Sequence, residues 1–138
     1  MPVINAAGAV TNQLFIQQNA TLTINGANTL DIHGDFTKNG TFTTNISTVR
    51  FLGSNTINVV SATNLLSFHN LELNNLSVGG IILGALNTSK ITVRNNLNFI
   101  NGIIYSNTPN FVEFNDNATA TNTKDLSHIN GQVRKIGN

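Results

Sequence analysis

Apolar residues in this chain fall on alternate positions in short bursts, and each burst is soon interrupted by Asn, Gly, Ser or Asp. Period-two alternation of this kind marks half-buried strands, and no stretch of ten or more residues carries the 3.6-residue spacing of an amphipathic helix. The pattern predicts strands at "TLTI" (Leu22, Ile24), "TLDI" (Leu30, Ile32), "GTFTT" (Phe42), "STVRF" (Val49, Phe51), "NTINV" (Ile57, Val59) and "FHNLEL" (Phe68, Leu71, Leu73). Further on it predicts them at "GIIL" (Ile82), "KITV" (Ile91, Val93), "NLNF" (Leu97, Phe99), "GIIY" (Ile103, Tyr105), "NFVEF" (Val112, Phe114) and "GQVRKI" (Val133, Ile136). Each strand has two or three inward positions, and a new one arrives roughly every 8–12 residues, which suits a β-sandwich, a barrel or a β-solenoid.

Four Asn-Gly pairs, at Asn25-Gly26, Asn39-Gly40, Asn101-Gly102 and Asn130-Gly131, lie between apolar positions. Taken alone they signal tight antiparallel hairpins. Asn and Gly also supply the left-handed backbone needed at bends between the faces of a parallel coil. Two features favour the coil. The strands are shorter than those of an ordinary sandwich, which also tends to hold a buried Trp or a large aromatic cluster. The chain also has 25 Asn and 17 Thr, and stacked rungs let amides hydrogen-bond one above another. A three-strand rung takes roughly 22–30 residues, so the chain holds about five or six rungs and stands about 25–30 Å tall at the usual strand spacing. The expected fold is thus an all-β, right-handed parallel β-helix, with an antiparallel β-sandwich as the alternative. In "NGTFTTNISTVRFLGSNTI", Asn39 to Ile57, two faces of one rung are expected, with Phe42, Val49, Phe51 and Ile57 inward and bends at Asn39-Gly40 and Gly53-Ser54.

At 138 residues the chain is a single-domain problem, and no internal boundary stands out. The stretch 115–124, "NDNATATNTK", lacks large apolar residues and reads as a loop, a rim excursion or a flat polar strand. Charged residues make up 9% and the net charge is +1, so there is no strong field to gather nucleic acid or anionic lipid. With no Cys, disulfides and thiolate metal sites are excluded. No run approaches the length of a membrane helix, and "MPVINAAGAV" lacks the features of a signal peptide. Met1 is read as an addition to an excised or processed segment.

The phrases "GDFTKNGTFTTNISTVRFLGSNTI", "FHNLELNN" and "NNLNFINGIIYS" resemble the repetitive β-solenoid segments of large secreted, adhesin-like surface proteins of Bacteroidota. "SHINGQVRKIGN", Ser127 to Asn138, resembles the phrase that closes such a segment, whereas "SVGGIILGALNTSK" departs from it and leaves the register of residues 77–90 open. The resemblance covers most of the chain from about Thr21 and rests on low-complexity phrasing. It implies a right-handed parallel β-helix, export to the cell surface and a role as adhesin, stalk or fibre, and it implies no active site.

For chemistry on polysaccharide a cluster of carboxylates with a basic group is needed. The acids are Asp31, Asp35, Glu72, Glu113, Asp116 and Asp125. Asp31 and Asp35 flank His33 and form the best acidic group, although a Gly-Asp turn and an outward strand position explain them more simply. Glu72 and Glu113 have outward parity and are read as solubilising charges, with Arg50 or Arg94 as possible mates. His33, His69 and His128 are too scattered to argue a metal triad. "SVGGIILGA" lacks the spacing of a phosphate or dinucleotide loop. The Thr-x-Thr pairs at Thr21/Thr23, Thr41/Thr43 and Thr119/Thr121/Thr123 are too uneven for an ice-binding rank and reflect β-propensity. Sequons at Asn19, Asn39, Asn45, Asn75, Asn87 and Asn117 follow from composition. Phe15, Phe36, Phe111 and Tyr105 could stack on sugars, with core filling the default for Phe and a surface platform the option for Tyr105.

No catalytic, cofactor-binding or metal-binding residue is therefore assigned, and no cofactor. The expected role is a structural or adhesive module of an extracellular, cell-surface protein or fibre that self-associates through open rungs or exchange of "MPVINAAGAV" or "GQVRKI". The expected partners are other copies, neighbouring modules of the same protein, or a surface glycan, with neither nucleic acid nor membrane insertion. The alternatives are a carbohydrate-binding or polysaccharide-degrading β-helix, and an ice-binding solenoid.

Overall fold

The computed structural model describes residues 1–62, 66–84 and 90–137. Among them the chain forms short strands and no helix, as the alternation requires. The first rung holds β1 (Val3–Ile4), β2 (Ala9–Thr11) and β3 (Leu14–Ile16), and the second β4 (Thr21–Ile24), β5 (Thr29–Ile32) and β6 (Phe36–Lys38). The third holds β7 (Thr41–Thr43), β8 (Thr48–Gly53) and β9 (Ile57–Ser61). In the fourth, β10 (Leu66–Asn75) covers two faces before β11 (Ile81–Leu83), and in the fifth β12 (Lys90–Asn101) does so before β13 (Ile104–Ser106). The sixth holds β14 (Phe111–Phe114), β15 (Thr119–Thr121) and β16 (Ile129–Gly131), and β17 (Val133–Lys135) opens a seventh.

Every pairing between these strands is parallel, and each strand pairs with its counterpart one rung away. The molecule is a β-solenoid of about six turns with three faces, not a sandwich. Face A stacks β1, β4 and β7 and continues through the first halves of β10 and β12 to β14 and β17. Thr44 Oγ1 donates to Ser67 O at 3.1 Å across the junction in that face. Face B stacks β2, β5, β8, the second halves of β10 and β12, and β15. Face C stacks β3, β6, β9, β11, β13 and β16. Register partners range from 19 residues apart at Thr29 and Thr48 to 27 at Asn74 and Asn101, so the early rungs are shorter than the sequence suggests.

The four Asn-Gly pairs lie at the bends between faces or at a strand end beside one, and none closes a hairpin. Gly102, at φ +110°, turns the chain from face B to face C. Gly40 has an ordinary φ but sits where rungs approach closely: a Cβ there would lie 2.3 Å from both Ala20 O and Gln17 O. Gly40→Ala is expected to cost about 2 kcal/mol, since the second rung's backbone must move to admit the methyl group. Thermal melting followed by circular dichroism checks this, and an unchanged midpoint would rule out the close-approach account.

Inward residues stack in register to form the core. On face B, Leu30, Val49, Leu71 and Leu97 make one column and Ile32, Phe51, Leu73 and Phe99 the next. All eight are at most 3% exposed. Each such side chain contributes about 1.5–3 kcal/mol of transfer free energy. The coil also holds an aromatic cluster, the feature the sequence reading associated with a sandwich. Phe68 lies edge-on to Phe36, Phe42 and Phe51, at centroid distances of 6.5, 6.2 and 6.2 Å.

Phe42, Val49, Phe51 and Ile57 face inward as their parity requires. The stretch Asn39 to Ile57 spans parts of three faces rather than two, because "TNIS" makes a further bend without glycine. There Ser47 turns back on Thr44 O, with its amide at 3.0 Å and its hydroxyl at 2.8 Å. "KITV" and "NLNF" are one strand, with a register shift where Arg94 and Asn95 round the A/B corner opposite the single His69. Residues 115–124 include the flat polar strand β15, all of it exposed. In "GIIL" and "GIIY" the inward residues are Ile81, Leu83 and Ile104 rather than Ile82, Ile103 and Tyr105, because Ile81 pairs in register with Ile57 and Ile104; residues 85–89 lie outside the described residues.

Candidate binding surface

Outward positions form ladders because the registers superpose them. At the A/B corner Asn25 Nδ2 donates to Asn5 Oδ1 at 3.2 Å and Asn45 Nδ2 to Asn25 Oδ1 at 3.3 Å. These are the stacked amides that the Asn excess suggests. Arg94 ends this ladder, reaching Asn45 O at 2.7 Å and Thr44 Oγ1 at 3.0 Å, so it is not the mate of Glu72 or Glu113. On face B the outward column runs Val10, Asp31, Arg50, Glu72, Asn98 and Thr121. Asn70 Oδ1 accepts a hydrogen bond from Asn95 Nδ2 at 2.7 Å, and Asn96 Oδ1 accepts one from the Thr119 hydroxyl at 3.1 Å.

Four of the carboxylates, Asp31, Asp35, Glu72 and Glu113, are engaged in these stacks. Arg50 clamps Asp31 with Nε and Nη2, both at 2.6 Å, and the Asp31 side chain is only 10% exposed. This hydrogen bond raises the Arg50 pKa above its ordinary value against the opposing effect of burial, and the Asp31 and Glu72 charges add to it. Glu72 also accepts from Asn98 Nδ2 at 2.9 Å. Asp35 lies at the B/C corner, where it takes the Asn58 amide at 2.8 Å and Asn58 Nδ2 at 3.2 Å. Asp31 and Asp35 thus do not converge around His33. Glu113 is no solubilising charge: it is 3% exposed, held by Lys90 Nζ at 2.9 Å, with Arg134 Nε at 3.7 Å. Arg134 is its register partner on the rung above, while on the rung below Thr92 is in register and Lys90, two positions along β12, reaches across to it. Among the described residues no three His, Asp or Glu side chains gather as a metal site.

Of the aromatic candidates, Phe36 is fully buried, and Tyr105 is half-buried with its hydroxyl on Val78 O at 3.3 Å. Phe111 is half-buried beside Lys90. Phe15 departs from the core default: it is 58% exposed, because pairing with β6 turns Leu14 and Ile16 inward and Phe15 out over Thr37. The Thr columns Thr21/Thr41 and Thr23/Thr43 extend over only two rungs. Inside the coil Lys38 is 4% exposed, and burial pushes its pKa down.

Sequence reasoning missed two features of the B/C corner. A concavity of about 570 Å³ opens there across the first three rungs, lined by Asn12, Gln13, His33, Gly34, Gly53, Ser54 and Asn55. Higher on the same corner Leu76, Val78 and Leu126 are exposed around a smaller hollow of about 200 Å³. No local signal marks either feature, since both depend on which rungs stack.

The fold and surface define a three-faced parallel β-solenoid whose outer side is rich in amides and hydroxyls, with ion pairs at Asp31–Arg50 and at Glu113 with Lys90 and Arg134. Comparison with protein-family models, curated proteins and solved structures found no match.

Proposed function

We propose that the chain is a structural and adhesive module of an extracellular bacterial surface protein or fibre, a stiff coil segment that stacks end to end on further coil segments. The supporting observation is the state of the two end rungs. Among the described residues, strands β1, β2 and β3 each pair on one side only, as do β15, β16 and β17. Such edges offer rows of unused backbone donors and acceptors to another strand. Natural edges are commonly guarded by charge, yet residues 1–20 contain no Asp, Glu, Lys or Arg. At the other end Val133, in register with the buried Val112, is 53% exposed, and none of the described residues forms a rung over it. A head-to-tail contact of this kind is heterologous and builds a filament rather than a closed ring.

Sedimentation velocity across a concentration series, with negative-stain electron microscopy, tests the stacking. The expected result is species heavier than the 14.8 kDa monomer, seen as rods, that revert to monomer in Val133→Asp. Monomers alone at every concentration would exclude stacking of copies.

A further inference from the structure

We propose that the B/C corner groove of the first three rungs is a binding site for a neutral oligosaccharide. Its polar lining side chains, Asn12, Gln13, His33, Ser54 and Asn55, are all exposed, and none is hydrogen-bonded to another described residue of the protein. This contrasts with the rest of the outer surface. At the A/B corner the equivalent amides bind one another, and one rung above the groove Asn75 Nδ2 is already held by Asn55 O at 2.8 Å and Thr56 by Ser77 at 3.2 Å. The groove amides therefore keep both donor and acceptor free, the pair that vicinal sugar hydroxyls use. The floor is kept low by Gly34, where a Cβ would lie 2.4 Å from Asn12 O.

Phe15 is an independent observation. It stands two residues along the first rung from Gln13 and turns its 58% exposed ring outward, where it can carry the apolar face of a sugar ring. The lining holds no carboxylate, ammonium or guanidinium, which selects against uronates and sulfated chains and for uncharged ones. Rungs repeat at about 4.8 Å, close to the length of one hexose in an extended chain, so successive rungs meet successive units. This site does not depend on end-to-end stacking, and the two readings fail separately.

The test is a two-dimensional NMR titration of the full chain with cellohexaose, laminarihexaose, maltohexaose and mannohexaose at millimolar concentration, with hexagalacturonate as the charged comparison. At least one neutral hexasaccharide is expected to shift the side-chain amides of Asn12, Gln13 and Asn55 and the imidazole of His33, leaving those of Asn25 and Asn45 in place. Phe15→Ala and the double variant Asn12→Ala/Asn55→Ala should each weaken that binding about tenfold. These are surface positions, so melting temperatures near that of the parent show that the variants fold. The proposal is overturned if no neutral hexasaccharide moves these signals, if the shifts fall elsewhere, or if hexagalacturonate alone binds.

Discussion

Phe68→Ala is expected to destabilise the coil by about 4 kcal/mol, the largest effect of any single truncation proposed for this chain. Phe68 is fully buried and lies edge-on to three other rings, which come from β6, β7 and β8 in the two rungs below. Truncation removes its transfer free energy and leaves a cavity that rungs at fixed spacing cannot close. It also removes the edge-to-face contacts, each worth about 0.5–1.5 kcal/mol beyond area. Denaturant unfolding followed by circular dichroism gives the number directly. A loss below about 1 kcal/mol would mean that the rungs collapse onto the gap and that the cluster is not the centre of the core.

Lys90→Met should cost about 3 kcal/mol, because it strands Glu113 in a nearly buried position. The value belongs at the low end for a broken buried pair, since Arg134 at 3.7 Å and the Thr92 hydroxyl at 3.4 Å still face the carboxylate. The double variant Lys90→Met/Glu113→Leu should recover most of the loss, as apolar replacement of both partners of a buried pair is often neutral. Unfolding free energies of the parent, the two single variants and the double variant complete the cycle. If the double variant were no more stable than Lys90→Met, a stranded Glu113 charge would not be the source of the loss.

Much of the coil was legible because strand parity is local. Leu30, Ile32, Val49, Leu71 and Leu73 each alternate with polar neighbours, so their inward direction could be read without knowing what they touch. Parity failed where apolar residues run together. In "QLFIQQ" three apolar positions are consecutive, and only the pairing of β3 with Phe36–Lys38 decides that Phe15 is the one left outside. The same register turns Lys38 inward. Parity also assigns a direction and not a burial. Glu113 points outward as read, yet Lys90 and Arg134 on the adjoining rungs enclose it.

By itself the sequence determined the class of the fold: all-β, short strands, and Asn-Gly bends with an amide excess suited to stacked rungs. These follow from period and composition, which act within a few residues. Tertiary structure alone decided which rung lies above which. That choice pairs Asp31 with Arg50 and Glu113 with Lys90, and it gathers Asn12, His33 and Asn55 into one groove from positions about twenty residues apart. The physical reason is that rungs of 19 to 27 residues vary in length at their corners, so the vertical neighbour of any outward side chain is set by backbone pairing along the whole coil and by no local motif.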